Sequence, residues 1–199
     1  MNLKSALALC AAIFAAVPAL AAPDGPAAPV YSADGKLVVP ADYRQWTFLT
    51  SSLDMSYSAG SSPDMHMFDN VFVQPQAYRS FLDTGTWPDH TVLVKELRGA
   101  STEGSINRRG KFQTPEFMGV EVHVKDSARF ADGGWAFFDG DGTAPAQQIP
   151  VQASCYSCHR AHGAVDNTFV QFYPTLINLA RSKGTLSAGF RKDEAAAAK

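Results

Sequence analysis

Cys155-Tyr156-Ser157-Cys158-His159 is the stretch that most limits what this chain can become. It reads C-x-x-C-H, the attachment sequence for a c-type haem. Two thiols on one helical turn reach the two vinyl groups of a haem, and the histidine that follows falls under the iron as proximal ligand. The motif predicts haem c held by Cys155 and Cys158, with His159 on the metal. Two competing chemistries use such cysteines. A thiol redox pair expects a thioredoxin-like βαβ pattern around it, and none is visible. A structural zinc site recruiting His159 and His162 expects a dozen or so residues between its Cys and His pairs, whereas His159 abuts Cys158. Haem is the preferred reading; zinc and a disulfide stay open beside it.

The start of the chain agrees with a haem attached after export. Asn2 and Lys4 open residues 1–22, an apolar run from Ala6 to Val17 follows, and Ala19-Leu20-Ala21-Ala22 offers a cleavage site near Ala21/Ala22. This is the pattern of a secretory signal, so the expected location is the periplasm. The run is too short to span a bilayer comfortably and lacks a charged stop, so no stable membrane anchor is expected. Cys10 lies inside it, with Leu9 where a lipoprotein signal would carry a small residue. Cleavage leaves about 177 residues, enough for one domain with a good core. The formal charge is −2. No basic patch carries interleaved aromatics, so nucleic acid is not an expected partner.

The rest reads as strands first, with sparse helices. Residues 23–35 are Pro-, Ala- and Gly-rich, a flexible lead-in. A short strand is expected at 36–39, a helical turn after Pro40 to Trp46, extended chain at 47–50 and a loop at 51–64. A strand over 68–73 precedes a helix opened by Pro75 and closed by Gly85. Residues 91–97 form a strand of high β-propensity, and 100–111 a polar, basic loop. From 118 to 124 the alternation puts Met118, Val120, Val122 and Val124 on one face and Gly119, Glu121 and His123 on the other. Another strand covers 133–138, and a loop covers 139–150. Past the haem helix, a helix from about Asp166 breaks at Pro174 and resumes to Gly184. The tail, 186–199, is charged and alanine-rich and reads as disordered. The expectation is an α+β haem domain over 36–185, mainly antiparallel sheet with a few short helices, the haem-attachment helix near the C-terminus.

Lys95 stands out within its strand. Leu93 and Leu97 share its face, and Val92 and Val94 occupy the other, so the strand is expected to be central. A lysine there either snorkels or pairs its charge, or else is held as a neutral amine against something it can react with. The strand pattern alone leaves both open.

Tyr43-Arg44-Gln45-Trp46, Trp87-Pro88-Asp89, Thr91-Val92-Leu93-Val94-Lys95-Glu96-Leu97, Phe117-Met118-Gly119-Val120-Glu121, Val124-Lys125-Asp126-Ser127, Arg129-Phe130, Trp135-Ala136-Phe137, the C-x-x-C-H stretch and Phe172-Tyr173-Pro174 stand in an order and spacing that resembles the cytochrome P-460 family. The resemblance runs from about Lys36 to Lys183. It implies a periplasmic, mainly antiparallel β homodimer whose haem is open on the side away from the proximal histidine. In hydroxylamine-oxidising members a lysine is also bonded to a meso carbon of the porphyrin, and Lys95 falls on that position. The implied activity is oxidation of hydroxylamine at ferric haem to nitrous or nitric oxide, with electrons passed to a soluble redox partner. A near relative, cytochrome c′-beta, shares the fold without the cross-link and binds nitric oxide or carbon monoxide.

The chain departs from the family pattern on the distal side. Asp69 stands where some relatives carry an arginine, and Gln147 and Gln148 where active members place a glutamate. A glutamine cannot act as a base near neutral pH. Asp69 supplies the base if it faces the iron, though its ordinary reading is a solvated strand-edge carboxylate. Glu121 is the second candidate, with a solvent-facing position as its ordinary reading. Met65, Met67, Met118, His66, His90, His123 and His162 are formal candidates for a sixth ligand, each more simply packed or exposed. Phe48, Phe68, Phe72, Phe117, Trp135 and Phe137 read as core, with one or two lining the distal pocket. A simple electron carrier would need one of those sixth ligands.

Overall fold

The computed structural model describes residues 25–57, 66–131 and 133–198. The signal segment, Cys10 and Met65 lie outside them. Six strands form one antiparallel sheet in which every strand pairs with its neighbour in sequence: β1 Thr47–Leu53, β2 Met67–Val73, β3 Val92–Ser101, β4 Phe112–Lys125, β5 Trp135–Gly140 and β6 Gln147–Gln148. The α+β reading holds. β3 is interior, pairing β2 through Val71↔Lys95 and β4 through Lys95↔Glu121.

Strand alternation gives the sheet two apolar faces. Val92, Val94, Val120, Val122, Val124 and Phe138 point to one face, which Leu37 and Tyr43 cover. Each such residue, fully buried, contributes about 1.5–3 kcal/mol. A buried carboxylate fastens this cover. Glu96 accepts from Tyr43 Oη, from Arg44 Nε at 2.6 Å and from Arg98 Nε at 2.6 Å. Burial works against its ionisation, but those donors hold its carboxyl below the usual range.

The other face carries Val73 and Leu93. It packs on helix α1, Pro75–Thr84, and on the C-terminal segment, with Phe81, Trp87, Val165 and Leu176 at the centre. Pro75 supplies the first-turn φ of α1. Gly85 ends it at φ 76°, where its N–H reaches Phe81 O, a left-handed cap that a side chain would strain. Helix α2, Ser154–His162, carries the C-x-x-C-H stretch, followed by a 3-10 turn Val170–Phe172, α3 Ile177–Lys183 and α4 Ala188–Ala197.

Several boundaries differ from expectation. Residues 36–39 make no strand: Leu37 alone bridges Tyr31 and Ala146 before Pro40 turns the chain. The lead-in is engaged from Ala27, whose carbonyl accepts from Gln74 Nε2, and Tyr31 lies 4.0 Å beneath the Arg129 guanidinium. β1 and β3 run on to Leu53 and Ser101 because their partners continue alongside, and the expected loop at 139–150 contains β6. No helix starts at Asp166. Asp166 and Asn167 both adopt positive φ, 47° and 56°, so the chain turns there. The tail is helix α4, capped by Ser187 Oγ on Phe190 N. Among the described residues no helix is long and apolar enough to cross a membrane.

Candidate haem site

A cavity of about 480 Å3 lies between the sheet and the C-terminal segment. Its sheet wall is cut from consecutive strands: Thr50 and Ser52, Asp69 and Val71, Leu93 and Lys95, Glu121 and His123, then Phe137. Cross-strand pairing makes this a single patch, because paired residues point to the same face. The other wall is Cys155, Cys158 and His159 from α2, with Phe169, Phe172 and Tyr173.

α2 places both thiols and His159 on the cavity, and both cysteines are free. His159 Nδ1 lies 2.8 Å from the Asn167 carbonyl. A carbonyl only accepts, so Nδ1 carries the proton and Nε2 keeps its lone pair for a metal. The ring stacks on Phe169 at 4.0 Å, and burial, opposed by the Asn167 bond, lowers its pKa. His123 is packed between Trp135 and Phe137, edge-on to His159. Burial pushes its pKa well down, the neighbouring His159 adding to the shift, and its Nε2 has no hydrogen-bond partner.

Lys95 sits in this wall, half-buried, with Nζ 2.8 Å from Glu121 Oε2. Asp69 is buried and accepts from Ser52 Oγ at 3.1 Å. It is not a solvated strand-edge carboxylate, because β2 lies between β1 and β3 and turns Asp69 into the cavity. Burial raises its pKa, and the Lys95 charge only partly offsets this.

A family model described as Cytochrome P460 matches residues 40–170. The chain belongs to the cytochrome P460 family. No curated protein matches it. Membership makes it a haem cytochrome, and this P460-family cavity fits that group. Its volume is that of a small-molecule site, its walls are largely apolar, and a proton-fixed imidazole and two free thiols face the same space. Among the described residues no three His, Cys, Asp or Glu side chains gather as a metal cage.

The other candidates separate cleanly. Of the formal sixth ligands within the described residues only His123 lines the cavity, and it stands beside His159. His66 bonds Asp54 at 2.6 Å, His162 bonds Asp193 at 2.6 Å, and His90 lies near Asp89. Met67 and Met118 are not in the wall, whereas Met55, not among the candidates, is. Gln147 and Gln148 do not line it either. Of the aromatics read as core, Phe137 does. Asn167, Phe169 and Ser52 belong to the site without standing in any chemical motif of the sequence. An Asp-Asn dipeptide is a turn signal, the one sequence hint of the carbonyl that holds His159.

Proposed function

We propose that this chain is an exported mono-haem c-type cytochrome that oxidises hydroxylamine, with Lys95 bonded to the porphyrin. The observation that supports it is the convergence of the Lys95 amine, from the sheet, and the Cys155 and Cys158 thiols, from α2, on one cavity. Cys155 and Cys158 hold haem c through thioethers, and His159 offers Nε2 to the iron. The bound haem supplies the electron-accepting centre at which the substrate is oxidised. Converting two hydroxylamines to nitrous oxide and water releases four protons and four electrons, so the chain must provide a base and a route to a soluble redox partner. Asp69 is the base. Its raised pKa makes it a stronger proton acceptor than an exposed carboxylate. Glu121 is the second acceptor, because an amine consumed in a covalent bond no longer presents Glu121 with an ammonium. Val71, Leu93 and Phe137 give the sheet wall its apolar surface. The periplasm as location and a homodimer as assembly belong to the same reading.

The test is the Lys95→Ala protein, made in a host that attaches c-type haem. Haem stays attached, the red-shifted ferrous Soret band of the wild type moves to an ordinary high-spin c-haem position, and hydroxylamine turnover falls. Identical spectra and turnover in the two proteins would end the cross-link idea. An ordinary wild-type spectrum with tight nitric oxide binding and no turnover would make the chain a gas-binding relative of the c′-beta kind.

A further inference from the structure

We propose that Asp166 and Thr168 are positioning residues for the iron ligand, holding the Asn167 carbonyl against His159 Nδ1 through Trp87 and Lys125. This rests on His159 being the ligand.

The carbonyl belongs to a turn that the backbone does not favour. Asp166 and Asn167 are consecutive non-glycine residues in the left-handed region, at φ 47° and 56°. Such residues cost free energy there and persist where their surroundings fix them. Contacts from far along the chain do so. Asp166 Oδ2 accepts from Trp87 N–H at 3.0 Å and from Lys125 Nζ at 3.3 Å. Lys125 Nζ also donates to Trp87 O at 2.6 Å, so the ammonium ties both sides of the junction. Thr168 Oγ1 accepts from Trp87 Nε1 at 2.9 Å and donates to Val165 O at 2.6 Å. Trp87 is buried and fixed against Phe81, with ring centroids 4.3 Å apart. The turn is thus pinned at Asp166 and Thr168, one residue to each side of the carbonyl that holds His159.

The chemical consequence runs through the imidazole. A well-placed acceptor on Nδ1–H pulls the ring toward imidazolate, which strengthens the bond from Nε2 to the metal and favours the oxidised iron. Loosening the turn should weaken that bond and raise the reduction potential. Thr168→Val changes no charge, so a shift in potential there cannot be ascribed to a lost ion. Asp166→Gly removes the carboxylate but leaves a residue that adopts positive φ freely.

The experiment uses the haem-loaded protein and reads the iron–histidine stretching band of the ferrous form together with the reduction potential. Thr168→Val and Asp166→Gly should both move the band to lower frequency, and Thr168→Val should raise the potential. Thr168→Ser, which keeps the hydroxyl, should restore both values. If the wild type shows the band and neither variant shifts it, the residues only stabilise the fold and the positioning role is overturned. A wild type with haem attached but no iron–histidine band overturns the ligand assignment, and the positioning role with it.

Discussion

A carboxyl group turned into a largely apolar wall resists ionising, and Asp69 is such a group. The sign of its pH dependence follows. As a base it works deprotonated, so the rate should rise with pH through a midpoint above the ordinary carboxylate range. Asp69→Asn should remove that limb and lower turnover by roughly 10²- to 10⁴-fold. Stability should respond in the opposite sense. A group whose folded pKa is raised adds stability below its unfolded pKa and loses it as pH climbs through the folded value. The Asn variant should therefore melt no lower than the wild type at neutral pH. A rate profile measured beside a melting curve checks both, and a variant that only loses stability would make Asp69 structural. Lys95 is legible in the sequence because both faces of its strand are apolar. The burial of Asp69 is not, because alternation names the face of a residue and not the place of its strand in the sheet. The Asn167 carbonyl is less legible still, being a backbone group whose role arises from a fold contact.

At the scale of elements, α4 shows composition misleading a reader. Its charged, alanine-rich sequence resembles a solvated tail, yet alanine is the strongest helix former and Ser187 a good cap. The helix packs on α2. His162 bonds Asp193, Ser187 Oγ donates to Gly163 O at 2.7 Å, and Ser187 N reaches Ala164 O. Gly189 permits the approach, for a Cβ there would lie 2.0 Å from the Ala161 carbonyl oxygen. Gly189→Ala must push α4 off α2 and should cost about 1–3 kcal/mol. Thermal unfolding should show the loss, with amide exchange rising first in α4. Unchanged melting would mean that the contact is slack. The sheet strands, by contrast, are readable from their alternation, and their ends are misjudged only where a neighbouring strand extends the ladder.

At the scale of the molecule, Lys95 and Cys155 stand about 60 residues apart and face one space. A porphyrin bonded to both would close that length into a loop, which on the chain-entropy account stabilises by about 4 kcal/mol. The Lys95–Glu121 ion pair is half exposed and contributes under about 1 kcal/mol. Denaturant unfolding of haem-loaded wild type and Lys95→Ala should therefore differ by more than a lost ion pair can explain, and coincident midpoints would argue against a closed loop. The sheet is a meander in which no strand waits for a distant partner. Every residue of the wall that bears Lys95 precedes α2 in the chain, so that wall can assemble before the thiols arrive. On the proposed reading maturation would then have a direction in time: haem carried by α2 would be delivered to a lysine already in place.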